Sequence, residues 1–412
     1  MNMLEEVFIT GMGAYSSAGS NLPALWQHTL HGDVSATMEK FSSSRTEKIF
    51  PLYRAPLPHF QTPEKALLRS ADRTAHFALA AALEAWSHAA LEEKSVSKNR
   101  CGVIVGSARG PASLQEKEIC SFTSTEASYQ IKPSSSLYSS FSSLAGLLAR
   151  VFNLQGPAFM VSSSCTSAAT ALHTALGMIR SGVLDLVLVG GVDAPLTKNL
   201  LEQYQQTGIL ATASSAKEAL APFDRDRCGT VLGEGAAFLV LESKTSLLQR
   251  GASPLGCLES IVLACEPRYR TRFDQQGLAL RRVLDHSLRQ ARLLPQDIGL
   301  IHLHGTGTRF NDLIESRAIH ACFGPLHQQP YACATKAITG HTLGAAALFQ
   351  VVLTLCALGD GVIPPTTNCR NLDPACTLRL EVSDDPLIDR ALCLTAGFWG
   401  VISSLILSRV KE

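Results

Sequence analysis

The 412-residue chain has little charge and few aromatic rings. Only 17% of its residues are charged and 6% are aromatic, whereas 46% are hydrophobic. The net charge of +1 excludes a general electrostatic attraction to nucleic acid or to an anionic membrane. The length and composition predict a globular protein with one large core or two fused cores.

The sequence also lacks the patterns that bind structural metals or direct secretion. None of the 12 cysteines forms a CxxC pair or stands at zinc-finger spacing from a histidine. The opening MNMLEEVFITGMG carries two acids where a secretory signal would be basic. We therefore expect no metal site, a reducing cytoplasmic location, and cysteines that are mostly small buried hydrophobes.

One uncharged stretch, 337–359, is long enough to suggest a membrane span. It contains His341, Gln350 and several glycines and threonines, and its apolar part, 345–358, has the length of a buried core helix. We therefore predict a soluble protein with no membrane segment.

Short apolar runs alternate with Ala/Leu-rich stretches along the chain, which predicts an α/β protein whose largely parallel sheet is covered on both faces. A soft boundary at 244–255 suggests two units, 1–250 and 251–412. VSSSCTSAATAL in the first unit and KAITGHTLGAAAL in the second form a faint internal echo. The pattern predicts strands at 7–10, 101–105, 158–161, 184–189, 237–241, 300–304 and 392–395, and helices at 73–90, 166–180, 278–292 and 343–358.

Cys165 lies where the strand ending in VSSSC meets an apolar helix. The first turn of a helix presents free N–H groups and a partial positive charge, which lower the pKa of a thiol and can bind an oxyanion. The position suits an acyl-accepting nucleophile, but it equally suits a small residue packed at a tight turn.

His304 follows a buried strand and begins the turn HGTGT, which places it at a crevice. Because His302 and His304 alternate, both should point the same way, and a structural histidine remains open for either. His341 and Lys336 lie in KAITGHTLGAA, again before an apolar helix. Such a position favours a neutral imidazole, whereas Lys336 would be solvated or, if buried, would need an acid such as Asp312 or Glu315.

In this order, the three segments resemble the signature of elongating β-ketoacyl synthases of the thiolase superfamily. VSSSCTSA is similar to the nucleophile segment of that family, HLHGTGTRFNDLIES to the first histidine segment, and KAITGHTLGAA to the lysine and second histidine segment. ITGMGAYSSAGSNLPALWQHTLHG and APFDRDRCGTVLGEGAAFLVLE resemble the opening and mid-chain blocks, so the resemblance covers nearly the whole chain.

The resemblance implies a thiolase-like five-layered αβαβα fold made of two similar halves, normally dimeric. It implies that Cys165 takes an acyl group from the phosphopantetheine of an acyl carrier protein. His304 and His341 would then bind the carbonyl of a malonyl-carrier thioester while carbon dioxide leaves, and the carbanion would attack the acyl group. This is a decarboxylative Claisen condensation, and no bound cofactor is implied.

Further roles follow from the same resemblance. The amides of Cys165 and Phe398 would bind the second oxyanion, and Lys336, paired with Glu315 or alternatively Asp312, would orient the site. Two threonines match positions that hydrogen-bond the pantetheine arm, namely Thr306 and Thr308. Three basic residues at helical spacing match a carrier-docking region, namely Lys65, Arg69 and Arg73, although a solvated face with Arg73 in a structural bond would look the same.

The chain departs from the family where GFGGTN is usual, because it reads GFWGVI. Trp399 replaces a glycine in a loop thought to gate acyl entry, Ile402 replaces an asparagine, and Thr230 stands where phenylalanine is common. These changes favour a specialised polyketide or polyene pathway, with the indole restricting or reshaping the acyl pocket.

Two relatives of this enzyme class are alternatives. A non-elongating chain-length partner or scaffold of a heterodimeric ketosynthase would lack the nucleophile that Cys165 supplies. A thiolase would use coenzyme A and a second catalytic cysteine instead of His341. The enzyme could pair with itself or with a chain-length-factor-like ketosynthase.

Overall fold

The computed structural model describes residues 5–42, 47–61, 64–91, 96–123, 133–271, 273–381 and 388–410. Its strands are β1 Val7–Ser16, β2 Thr37–Ser42, β3 Glu47–Leu52, β4 Cys101–Gly106, β5 Ala158–Val161, β6 Leu186–Asp193, β7 Gly235–Ser243, β8 Gly256–Cys265, β9 Leu300–His302, β10 Tyr331–Cys333, β11 Arg390–Ala396 and β12 Val401–Ser408. Its helices are α1 Leu22–His31, α2 Glu64–Leu67, α3 Arg73–His88, α4 Ala112–Thr123, α5 Ser135–Tyr138, α6 Ser143–Val151, α7 Ser167–Arg180, α8 Lys198–Gln206, α9 Lys244–Arg250, α10 Leu278–Ala291, α11 Arg309–Phe323, α12 Lys336–Thr339 and α13 Ala346–Asp360.

The sheet reveals two halves with the same topology. Its order is β10-β9-β11-β12-β8-β1-β7-β6-β4-β5, and β2 and β3 form a separate hairpin. Within the first half the order is β5-β4-β6-β7-β1, and within the second it is β10-β9-β11-β12-β8. The five sheet strands of the first half are, in chain order, β1, β4, β5, β6 and β7, and those of the second are β8 to β12. Counted in this way, each half places its third strand at the edge of the sheet, followed by its second, fourth, fifth and first. This repeated topology explains the internal echo of the sequence.

The helices and sheet form five layers. α3 packs on β1 and β7, α10 packs on β8 and β12, and α7 and α13 contact each other and strands of both halves. One buried apolar cluster surrounds the central pair α7 and α13, and a second and a third lie under α3 and α10. The arrangement is the predicted thiolase-like αβαβα fold, in which α13 is largely buried in the central helix layer and α7 keeps His173 and Gly177 exposed.

The prediction of a largely parallel sheet was wrong. β4 pairs in parallel with β5 and β6, and β9 with β10 and β11, but the pairs around β1, β7, β8 and β12 are antiparallel. The connection between β11 and β12 spans only 397–400, and a connection this short cannot make the crossover that parallel strands need. This hairpin turn carries Phe398 to the site.

The predicted elements are present with small shifts at their ends. β9 ends at His302 rather than at His304, and α13 begins with a single 3₁₀ turn, Leu343–Ala345. By length and composition the segment Leu343–Asp360 could cross a membrane, but 83% of it is buried inside the protein. It is the core helix that its length predicted.

Candidate active site

Cys165 lies at a sharp turn between β5 and α7. Ser164 adopts a left-handed backbone conformation with φ 55°, and the Ser163 amide donates to Ser167 Oγ over 2.9 Å. The turn points the thiol away from the core that α7 fills with alanine and leucine. Cys165 is therefore 8% exposed and reaches a cavity instead of packing into solid core.

The equivalent turn of the second half presents His341 to this thiol. His341 follows α12 and precedes α13, and its Nε2 lies 3.3 Å from Cys165 Sγ. The His304 ring stands edge-on to the His341 ring, with centroids 5.4 Å apart and planes at 84°. The topological repeat therefore brings Cys165, His304 and His341 together.

His302 is separated from this group, although the sequence alone left it open. Its Nδ1 lies 2.9 Å from Thr354 Oγ1 and its Nε2 lies 2.9 Å from Thr335 Oγ1, and its side chain is fully buried. Because β9 ends at His302, the strand alternation stops before His304, which turns toward the cavity. His302 is a structural histidine.

Both cavity histidines are neutral at physiological pH. Burial, with the nearby Lys336 charge, lowers the pKa of His341 to about 3 and holds the pKa of His304 well below its usual range. The Nδ1 atoms of both rings are buried without a hydrogen-bond partner. An unpaired buried N–H is costlier than an unpaired acceptor nitrogen, so we assign the proton to Nε2 in each ring, and with this assignment the Nε2–H of His341 donates to Cys165 Sγ.

The pKa of the Cys165 thiol is raised, whereas the sequence predicted that the helix terminus lowers it. Burial raises the pKa of Cys165 to about 11, while the Ser164 hydroxyl and the Lys336 charge oppose this change. The loss of water around the sulfur outweighs these nearby groups. The resting thiol is therefore protonated at neutral pH.

Lys336 is buried beneath the two histidines. Its Nζ donates to the carbonyl oxygen of His304. Glu315 accepts from the His304 amide and from the Gly305 amide, the latter over 2.9 Å. Burial lowers the pKa of Lys336 and raises that of Glu315, and their opposite charges act against both changes. The expected pairing thus takes an indirect form, with both side chains holding the His304 backbone.

Asp312 supports the neighbouring turn rather than the lysine. It accepts from the Phe223 amide over 2.8 Å and from the Thr306 amide over 3.0 Å, and Arg227 Nε lies 3.7 Å from it. Thr306 Oγ1 and Thr308 Oγ1 lie 2.9 Å apart, and both residues line the cavity. The predicted pantetheine threonines therefore stand together on one wall.

The turn between β11 and β12 closes the site from the opposite side. A Cβ on Gly397 would lie 3.1 Å from the Cys165 amide nitrogen, so the backbone here touches the nucleophile turn. Phe398 lines the cavity, with its ring centroid 6.4 Å from that of Tyr204. The amides of Cys165 and Phe398 therefore belong to adjoining segments.

Trp399 corrects the expectation that its indole reshapes the acyl pocket. It adopts φ 65°, a left-handed conformation that glycine would adopt without strain. Its side chain is 65% exposed, and the Arg270 guanidinium lies 5.8 Å from its ring centroid, outside the cavity. Ile402, where an asparagine is usual, is buried in the core under α10.

The cavity that joins these groups has a volume of about 560 Å³. One wall comes from the start of α11 and from Thr306 and Thr308, and another from the end of α8 and the segment 228–230. Cys165, His304, His341 and Phe398 lie between the walls. The volume suits a thioester and an extended acyl chain rather than a macromolecule.

The three predicted docking residues separate into two groups. Lys65 and Arg69 are exposed, on and just after α2. Arg73 instead turns inward to a buried carboxylate, since its guanidinium donates to Glu234, which is 1% exposed, and to the Ala55 carbonyl. Arg73 is a structural cation and is not free for a partner.

Sequence reasoning missed a buried acid near the site. Asp193, the last residue of β6, accepts from the Ser107 hydroxyl and from the amides of Ala108, Arg109 and Gly344, and so ties the two halves together near the thiol. Burial raises its pKa to about 6. An acid closing a buried strand, VLVGGVD, was an available signal.

Known proteins match this chain over nearly its whole length. Residues 4–246 match the family described as "Beta-ketoacyl synthase, N-terminal domain", and residues 255–370 match "Beta-ketoacyl synthase, C-terminal domain". The chain is 29% identical over 415 residues to the 3-oxoacyl-[acyl-carrier-protein] synthase 2 of Coxiella burnetii, covering 99% of each chain.

Two solved structures share the fold and its size. The first is described as a type II polyketide synthase acyl-carrier protein in complex with its ketosynthase bound to the hexaketide. A chain of that structure matches with a TM-score of 0.89 and 26% identity, over 99% of this chain and 100% of that one. The ishigamide ketosynthase/chain length factor matches with a TM-score of 0.86 and 28% identity, over 99% and 100%.

Proposed function

The chain belongs to the β-ketoacyl synthase family, and from that premise we propose that it joins a Cys165-bound acyl group to a malonyl unit by decarboxylative Claisen condensation. The product is a 3-oxoacyl group two carbons longer, and the enzyme is an acyltransferase. The observation that carries the proposal is the 3.3 Å contact of Cys165 Sγ with His341 Nε2, with His304 edge-on beside it in one cavity.

The first half-reaction transfers the acyl group to Cys165. The sulfur attacks the thioester carbonyl, the carrier thiolate leaves, and the proton of the Cys165 thiol goes to that leaving sulfur. Charge builds on the former carbonyl oxygen, and the adjoining amides of Cys165 and Phe398 are the donors proposed for it. Because the resting thiol is protonated, His341 Nε2–H assists by donating to the thiolate as it forms.

The second half-reaction uses the two imidazoles on a different oxygen. The C–C bond to the malonyl carboxylate breaks, carbon dioxide leaves, and the electron pair forms an enolate whose oxygen lies against His304 and His341. The enolate carbon then attacks the acyl carbonyl, and Cys165 leaves as a thiolate, which takes a proton from solvent to restore the resting thiol. Neutral Nε2–H donors suit this step because they stabilise developing negative charge without first losing a proton.

Supporting roles follow from the contacts. We assign Lys336 and Glu315 to positioning His304 through its backbone, Asp312 to fixing the Thr306 turn, and Thr306 and Thr308 to the pantetheine arm. The units 1–250 and 251–412 are proposed as the nucleophile half and the His/Lys/His half.

The substrates are proposed to arrive on the phosphopantetheine of an acyl carrier protein, as a relative's complex with such a carrier suggests. The exposed Lys65 and Arg69 remain the proposed docking cations for an acidic carrier. Pairing with a second copy or with a chain-length-factor-like subunit is proposed from the ketosynthase/chain length factor relative. A cytoplasmic location and a polyketide or polyene pathway complete the proposal.

The test is the intact mass of the protein after incubation with an acyl-carrier protein. We expect the wild type to gain one acyl group and the Cys165→Ala variant to gain none, and malonyl carrier should then give a 3-oxoacyl product with release of carbon dioxide. Acylation of neither protein would instead favour a non-elongating partner subunit or scaffold, and acylation of Cys165→Ala would show that another residue is the nucleophile.

A further inference from the structure

Tyr204 brings an unused hydrogen-bond donor to the cavity wall. It lies on α8, lines the cavity with Cys165, and is 6% exposed. Its hydroxyl oxygen accepts from Arg109 Nη2 over 2.8 Å and from Arg109 Nε over 3.2 Å. A tyrosine hydroxyl has one proton to donate, and among the described residues no acceptor receives it. This donor lacks the partner that a buried polar group normally has.

Arg109 fixes the direction of that hydroxyl. Its guanidinium lies 5.0 Å from the Tyr204 ring centroid, and within the described part of the chain no carboxylate stands within 4.0 Å of it. With both hydroxyl lone pairs facing the two Arg109 donors, the O–H must point elsewhere. A positive group behind a hydroxyl also strengthens it as a donor.

The segment 228–230 supplies a second polar group to the same wall. Thr230 lines the cavity and is 1% exposed, and its Oγ1 is buried with no hydrogen-bond partner. Leaving a hydroxyl unpaired costs stability, and a purely apolar acyl chain would leave both Tyr204 and Thr230 unsatisfied. The hydroxyls of Tyr204 and Thr230 could therefore each be satisfied by an oxygen atom of the ligand.

We propose that this wall selects acyl chains that carry a carbonyl oxygen beyond the thioester, with the Tyr204 hydroxyl donating to that oxygen and Arg109 positioning the hydroxyl. The inference rests on the proposed condensation and names its substrate class. A saturated chain of equal length fits the same cavity but leaves these groups unpaired, so it binds less well.

The test compares three primers on one carrier protein: octanoyl, 3-oxooctanoyl and 5-oxooctanoyl. The quantity measured is the ratio of kcat/KM for each oxo primer to that for octanoyl, within each variant. We expect the wild type to prefer at least one oxo primer and Tyr204→Phe to lower that preference about tenfold, which corresponds to about 1.4 kcal/mol. Arg109→Leu should lower it similarly, and Arg109→Lys should restore part of it.

Tyr331→Phe is the matched control. Tyr331 also accepts from an arginine, Arg379, over 2.7 Å, with the guanidinium 3.7 Å from its ring centroid, but it lies outside the cavity. A wild type that prefers octanoyl, or a Tyr204→Phe ratio equal to that of Tyr331→Phe, overturns the inference. Absence of condensation with every primer overturns the proposed function as well, so the two failures are distinguishable.

Discussion

The two histidines should fail in different ways when each is replaced by alanine. His341 Nε2 lies 3.3 Å from Cys165 Sγ. Among the described residues, His304 contacts the His341 ring but makes no hydrogen bond to that sulfur. In the proposed mechanism His341 therefore serves both half-reactions and His304 serves only the second. His304→Ala should acylate normally but decarboxylate slowly, and His341→Ala should be impaired in both steps.

The magnitudes follow from the hydrogen bonds that each variant removes. Removing one preorganised donor from a developing oxyanion costs about 10²- to 10³-fold in rate, so each variant should decarboxylate more slowly by about that factor. A hydrogen bond to a charged group contributes about 1.5–3 kcal/mol, so His341→Ala should acylate about 10- to 100-fold more slowly. His304→Ala should acylate within about threefold of the wild type, because its ring does not touch the sulfur.

Two assays separate the steps. Rapid-quench intact mass follows acylation of Cys165 by an acyl-carrier protein, and release of labelled carbon dioxide from malonyl carrier follows decarboxylation. Cys165→Ala is the reference for zero acylation, and circular dichroism checks that each variant is folded. Equal loss of acylation in His304→Ala and His341→Ala, or full acylation in His341→Ala, would refute the assignment.

Three further outcomes are expected. The rate of alkylation of Cys165 by iodoacetamide should rise about tenfold per pH unit from pH 7 to 9. A thiol with a pKa of about 11 is mostly protonated throughout this range, and its reactive thiolate fraction grows tenfold with each pH unit. A plateau in the alkylation rate below pH 8 would contradict the conclusion that burial raises the pKa of this thiol. Gly397→Ala should lower kcat about tenfold without unfolding the protein, since the new Cβ would lie 3.1 Å from the Cys165 amide nitrogen and displace the turn that carries Phe398. An unchanged kcat would show that this turn can accommodate the Cβ without moving the Phe398 amide. Arg73→Ala should cost about 2 kcal/mol of unfolding free energy, because the buried Glu234 carboxylate loses the hydrogen bonds from Arg73 and keeps the Arg54 guanidinium, 3.8 Å away, as its remaining cation among the described residues. Lys65→Ala should leave the melting temperature unchanged and raise KM for the carrier; equal melting temperatures for both variants would contradict a structural role for Arg73.

The elements of the fold were readable because burial imposes local patterns. Fully buried strands such as β6 read as continuous apolar runs, and α13 reads as a helix without a polar face. Strand directions were not readable, because pairing depends on which connections cross the sheet. The short turn at 397–400 makes β11 and β12 antiparallel, and the alternation of strands and helices elsewhere concealed it.

Site residues were predictable where a chemically capable side chain stands just before an apolar helix, as Cys165 stands before α7 and His341 before α13. The pKa of the thiol was not predictable, because the helix terminus is a local feature whereas desolvation depends on everything packed around the sulfur. The outward turn of Trp399 and the inward turn of Arg73 likewise depend on partners distant in sequence, Arg270 and Glu234.

The sequence by itself determined the family, the reaction class and which residue types stand at the two helix-start turns, because these are written in contiguous segments. Only the tertiary structure decided that the turns face each other across a shared cavity, that Lys336 and Glu315 hold a backbone rather than each other, and that Tyr204 has a donor without an acceptor. These contacts join residues far apart in the chain. The Cys165–His341 contact forms only when the two halves pack around α7 and α13, whereas the contacts of Lys336 and of Tyr204 form within one half each.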